Sequence, residues 1–243
     1  MGLFKKLALY ISVIIIYIAL VNTSPETQFN LTREDGLFEN TSAIAFFFAF
    51  IIFTYLFFKS KNLDNLFFGI KTKRNVFYGL LALLFLISCG EEISWGQRIF
   101  GWSTPESLME MNAQNETNFH NLWLFQASNK DGSSKSFMEL FLNMGRLYTI
   151  FWMIYCVLIP VACFVSVQFK KFITHIGIPI VPLWIGGFFV VNYLALYGTI
   201  YGFHSQLDEA NRIIEVRESL QAVGFLLFAL YSLWYYKKII QNQ

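Results

Sequence analysis

Residues 43–61 read AIAFFFAFIIFTYLFFKSK, with no charge before Lys59 and Lys61. A helix rises 1.5 Å per residue, so about 20 mostly apolar residues cross the roughly 30 Å of hydrocarbon in a bilayer. The run from Ala43 to Phe58 is apolar on every side and does not alternate, which predicts a helix in lipid and not a barrel strand.

Five more stretches of this kind lie outward from it: Leu7 to Val21, Val76 to about Trp95, Leu147 to Phe169, Ile176 to Tyr201 and Leu220 to Tyr236. The whole chain is 14% charged, where soluble domains carry roughly 25%; it has too few charges to cover a surface facing water. The expected fold is all-α, a single transmembrane domain of about six spans. The first span follows Lys5 and Lys6 and precedes Asn22, Thr23 and Ser24, a pattern shared with signal peptides. No small-x-small site precedes Pro25, so an uncleaved helix is expected. Cys89, Cys156 and Cys163 all fall in apolar runs, which suits helix packing better than a disulfide framework. No basic stripe suggests nucleic acid, and no internal repeat suggests an inverted-repeat transporter.

Basic residues occupy alternate connections: Lys5 and Lys6; Lys59, Lys61, Lys71, Lys73 and Arg74; Lys170 and Lys171; Lys237 and Lys238. The positive-inside rule assigns these groups and both termini to the cytoplasm. Most acidic residues then face outward, in or beside residues 22–42, 91–142 and 202–219. The first of these reads as a polar loop. Residues 96–142 are too long for a structureless connection and are expected to be partly helical or re-entrant. The outward sequons at Asn22, Asn30, Asn40 and Asn115 read as chance products of an Asn-rich composition, and the Phe, Ile, Lys and Asn bias suggests an AT-rich bacterial genome and hence the plasma membrane.

Three outward segments carry polar groups suited to chemistry. The third span ends Gly90-Glu91-Glu92-Ile93-Ser94-Trp95-Gly96-Gln97-Arg98. At 1.5 Å per residue from Val76, Glu91 lies roughly 22 Å along a 30 Å core. A carboxylate there costs up to about 2.5–3.5 kcal/mol unless it faces a cavity, a metal or a cation. Successive residues point about 100° apart, so one glutamate is expected in the site while the other pairs with Arg98 or Arg146. The second segment is Asn112-x-Gln114-x-Glu116-x-Asn118-x-His120, polar on one face as an extended chain, whereas as a helix it would align Asn112, Glu116 and His120. The third holds His204, Asp208, Glu209, Arg212, Glu215 and Glu218, with Arg212 able to pair with its acidic neighbours.

Glu91, Glu92, His120 and His204 are thus candidate catalytic groups. His120, His204, Asp208 and Glu116 are candidate ligands for a divalent metal, zinc above all, and Trp95, Arg98, Arg146 and Arg212 are candidate substrate or charge partners. Zinc would turn a bound water into a nucleophile, with a spare glutamate as general base. Three histidines are too few for the histidine boxes of membrane desaturases.

Gly90-Glu91-Glu92-Ile93-Ser94-Trp95 resembles the first motif of the CAAX-protease and bacteriocin-processing (CPBP) family of intramembrane proteases. The resemblance implies that Glu91 and Glu92 supply the paired glutamates, His204 with Asp208 the last motif, and His120 the middle histidine, around a catalytic water. The chain departs from the pattern at Gly96, where the family has arginine, and at Glu116, where it has an aromatic residue. The functional expectation is a membrane-embedded hydrolase acting on a lipid or a membrane-bound peptide. A transporter or a proton- or ion-binding protein is the alternative.

Overall fold

The computed structural model describes residues 2–33, 35–137, 139–202 and 207–241, apart from the side chains of residues 62, 98, 202 and 207–212. Helices dominate: α1 (Leu3–Val21), α2 (Pro25–Thr32), α3 (Leu37–Lys59), α4 (Val76–Glu92), α5 (Gln97–Phe100), α6 (Glu106–Met111), α7 (Met144–Trp152), α8 (Ile159–Val165), α9 (Val167–Ile176), α10 (Leu183–Gly202) and α11 (Leu207–Gln241). One two-stranded hairpin, β1 (Asn65–Phe67) with β2 (Ile70–Thr72), joins α3 to α4. The all-α architecture is as the sequence predicts.

Four stretches are long and apolar enough to cross a membrane: Leu3–Val21, Pro25–Lys59, Met144–Val165 and Leu183–Tyr201. The remaining expected spans are the shorter α4 and the apolar part of α11. Large apolar side chains stay exposed along α1 (Ile11, Ile14, Ile15, Ile18), α3 (Phe47, Phe48, Ile51) and α8 (Val161, Phe164, Val165). Helices with so much apolar surface turned outward suit a lipid solvent and not water.

Two helix boundaries differ from the sequence reading. Residues 22–42 are not a plain loop: Ser24 caps α2, its hydroxyl accepting from Thr27 N at 3.2 Å, and Pro25 takes the first helical position, where its missing N–H does no harm. The helix expected from Ile176 begins only at Leu183. Gly177 ends α9 at φ 95°, and Pro179 and Pro182 keep the intervening chain extended. Between α7 and α8 the helix widens into a π-turn at Met153–Leu158. Pro160 lacks the N–H that Cys156 O would accept in a regular helix, which accounts for an irregularity at this point.

The long helix α11 holds the centre. Its Phe225 packs against Phe85 of α4, Phe189 of α10, Phe46 of α3 and Phe151 of α7 at centroid distances of 5.3, 4.9, 6.4 and 6.0 Å. A second cluster seats α1 against α10 and α11 through Val13, Tyr17, Leu20, Phe188 and Val216. Cys89, Cys156 and Cys163 are free and buried in this packing.

The two ends of the bundle differ in chemistry. At one end Tyr236 Oη donates to Lys59 O (3.0 Å), Phe68 N to Ile176 O (2.9 Å) and Tyr10 Oη to Trp184 O (2.7 Å). These contacts bring the segments that carry the four basic groups to the same end of the bundle as the hairpin. The opposite, loop end carries Glu91, Glu92 and the segment 93–143.

Candidate functional site

The motif Gly90–Gln97 is a latch between α4 and the long loop. After Glu92 the chain turns sharply through Ser94 (φ 45°), Trp95 (φ 52°) and Gly96 (φ 84°), three residues in the left-handed region. Only Gly96 adopts it freely; the other two are held by their side chains. The Ser94 hydroxyl donates to Glu116 Oε2 at 2.6 Å, and Trp95 Nε1 donates to Glu91 Oε1 at 2.6 Å. Gly90 makes room for the folded-back indole, because a Cβ there would stand 3.0 Å from the ring.

The loop is organised by what it offers this latch. Glu91 Oε2 accepts from the backbone N–H groups of Phe119 (2.7 Å) and His120 (2.8 Å) and lies 3.1 Å from His120 Nδ1. Asn118 Nδ2 donates to Glu116 Oε2 (2.8 Å), Asn112 Nδ2 donates to Asn118 Oδ1 (2.9 Å), and Thr117 N donates to Gln97 Oε1 (2.7 Å). Asn112, Glu116 and Asn118 are buried as a result. Segment 112–120 is neither helix nor strand, since Asn115 has φ 60° and Asn112 bridges to Leu122. Glu116 and His120 therefore do not share a helix face, and the polar alternation serves this network instead.

Because Glu91 accepts, the proton sits on His120 Nδ1, and Nε2 is the nitrogen left for chemistry. The imidazole is half-exposed, with side-chain exposure of 38% against 14% for Glu91. Along the same latch and loop Trp95, Phe100, Trp102 and Phe119 expose aromatic surface, the residue type favoured at a membrane–water boundary.

The glutamate doublet is divided. Glu92 continues the buried stripe of α4 through Ala82, Phe85 and Cys89, while Glu91 lies about 100° round the helix. Glu92 consequently faces the bundle, within electrostatic reach of Glu218, Glu215 and Glu39. Glu218 accepts from Arg217 Nη2 at 2.5 Å. The expected pairing of one glutamate with Arg146 does not form: Arg146 is exposed at the start of α7, and among the described residues no ion pair joins it to either glutamate.

The side chains of Arg98, Asp208 and Arg212, and the whole of His204, lie outside the described residues. Among the described residues, no group of three or more His, Cys, Asp or Glu side chains is placed to hold a metal ion. The sequence reading missed Tyr148, Trp152, Asn192 and Gln221. A polar residue inside an apolar run is the signal that could have found Asn192 and Gln221. Asn192 is fully buried, accepting from Tyr17 Oη at 2.7 Å and donating to Arg217 O at 2.9 Å.

No protein-family model, no curated protein and no solved structure matches this chain.

Proposed function

We propose that this chain is a membrane-embedded hydrolase that acts on a lipid or a membrane-bound peptide, with His120 as general base oriented by Glu91. The Glu91–His120 pair supports this reading: a carboxylate on Nδ1 fixes the tautomer and leaves Nε2 to take a proton from water. The exposed aromatic side chains of the latch and loop suit a substrate held at the level of the headgroups. Were a divalent ion such as zinc bound, His120 Nε2 would ligate it together with His204 and Asp208 instead of acting as the base, and a spare glutamate would take the proton from the acidified water. The likeness of Gly90–Trp95 to the CPBP motif points to the same class of reaction.

In this reading the chain crosses a bacterial plasma membrane six times with both termini in the cytoplasm, and the loop end faces outward. Gathering of every basic cluster at the hairpin end supports that sidedness.

Fluorogenic phospholipids and lipopeptides offered to the purified protein test the proposal. His120→Gln should lower turnover by about 100-fold or more; an ion that the wild type holds and His120→Gln loses would mark the metal-assisted form, with His120 as ligand. Full activity in His120→Gln would sink the assignment. Labelling of single cysteines checks the sidedness, with Asn129→Cys reacting from outside and Lys73→Cys only after permeabilisation.

A second reading, a proton- or cation-binding carrier, is favoured by one observation: Glu92 faces the bundle among other carboxylates. Flux in proteoliposomes that survives Glu92→Gln would remove it.

A further inference from the structure

Four core stripes end in polar residues at the same level. On α3 the stripe Phe53, Ala49, Phe46, Ser42 leads to Glu39; on α4 Phe85 and Cys89 lead to Glu92. On α7 Trp152 leads to Tyr148, and on α11 Phe225 leads to Gln221 and Arg217. Each step is three or four residues, so on each helix the polar groups continue the face that lines the apolar core. The aromatic cluster around Phe225 is the floor of this layer, and Tyr148 rests on it at 6.3 Å between ring centroids.

The layer is polar and under-bonded. Gln221 is fully buried and neither its amide nitrogen nor its amide oxygen has a hydrogen-bond partner; Arg217 Nε, Tyr148 Oη and Trp152 Nε1 are likewise buried and unpartnered. Tyr148 is within electrostatic reach of Glu218, Glu92 and Arg217, and it rests on the Phe225 ring, one turn along α11 from Gln221. Native proteins rarely leave such groups without partners, and leaving each one so costs about 1–3 kcal/mol. No described residue donates a hydrogen bond to Glu92, although Glu92 and Glu218 both keep accessible surface. Among the described side chains the one guanidinium in this group, that of Arg217, is bonded to Glu218.

We propose that the space between Glu92, Glu218, Arg217, Gln221 and Tyr148 binds a primary ammonium group that carries an oxygen acceptor a few bonds away. The ammonium supplies N–H donors and positive charge to Glu92 and Glu218. The acceptor oxygen takes the hydrogens of Arg217 Nε and Tyr148 Oη, and Gln221 can both give and receive. A bare metal ion would leave those donors unpartnered, and an anion would meet two carboxylates. An ethanolamine-type headgroup has this chemistry, and so has a free amino alcohol or its phosphate. The site does not require His120 to be catalytic. It rests on the second reading, that the Glu92 cluster takes a cation, and narrows that cation to an organic ammonium.

Native mass spectrometry of the purified full chain, equilibrated with equal amounts of phosphatidylethanolamine and phosphatidylglycerol, tests this. Ethanolamine lipid should be retained preferentially, and Glu92→Gln, Gln221→Leu and Tyr148→Phe should each reduce that preference by about five- to tenfold, the scale of one ordinary hydrogen bond. Tyr148→Phe removes a single oxygen and guards against loss through misfolding. Competition by soluble phosphoethanolamine marks the free compound as sufficient; selectivity that resists it marks the lipid as the ligand. Equal retention of both lipids, or a preference unchanged in all three variants, would overturn the proposal. Glu92-dependent proton or sodium flux without ammonium selectivity would also overturn it while leaving the second reading intact.

Discussion

Glu91 Oε2 meets His120 twice, at its backbone N–H (2.8 Å) and at its ring Nδ1 (3.1 Å), so one oxygen fixes both the chain and the imidazole. The other oxygen of the same carboxylate receives Trp95 Nε1. The glutamate thus ties the end of α4 to a loop residue 29 positions later.

Glu91→Ala should free the loop before it unfolds the bundle. It leaves the amides of Phe119 and His120 without their acceptor, and a lost partner costs about 1–3 kcal/mol. Hydrogen exchange at those two amides should rise by roughly tenfold or more, while exchange in α10 and the apolar part of α11 stays as it was. Unchanged exchange at Phe119 and His120 would mean that the loop is ordered by other contacts.

Gly96→Ala should lower the melting temperature. Its φ of 84° disfavours any side chain, and an added Cβ would stand 2.9 Å from the Phe100 ring. A loss of about 1 kcal/mol or more is expected. Gly101→Ala is the comparison: its φ is 69°, but nothing lies within 4 Å of the added Cβ. The smaller loss there isolates the strain of the backbone, and thermal unfolding in detergent reads both.

Gly186→Ala should destabilise the packing of α10 on the π-turn. A Cβ at 186 would clash with Cys156 O, the carbonyl that Pro160 cannot serve. Overpacking of this kind costs about 1–3 kcal/mol. Gly198→Ala, in the same helix with open space around it, should be neutral or stabilising. Equal melting temperatures for the two variants would contradict the close approach of α10 to Cys156.

Glu139 should titrate below an ordinary glutamate. The Ser136 hydroxyl, then the Ser136 backbone N–H at 2.8 Å, bond its carboxylate and favour the charged form. With the pKa depressed in the folded state, the order this contributes is complete above the unfolded value of roughly 4.3. It is lost as pH falls through the folded value. Carbon-13 titration of Glu139 in wild type and in Ser136→Ala checks this, and the variant should move back towards the ordinary value.

Composition carried most of the architecture. Uninterrupted apolar runs demand helices because lipid satisfies no backbone group. The doublet Glu91–Glu92 stood out because carboxylates beside an apolar run need a reason to be there. The extent of α10 was misread because hydropathy does not register that Gly177, Pro179 and Pro182 hold an apolar segment extended.

What each glutamate does was decided in three dimensions. Helical register alone turns Glu92 toward the stripe of Phe85 and Cys89, but only the left-handed turn at Ser94–Gly96 brings residues 112–120 back to Glu91. Loop residues have no period from which a return path can be read, so the Glu116–Ser94 and Glu91–His120 bonds were invisible in the chain. The same holds for Tyr148 on α7 and the pair Arg217 and Gln221 on α11: they form a group only because packing around Phe225 sets those helices side by side.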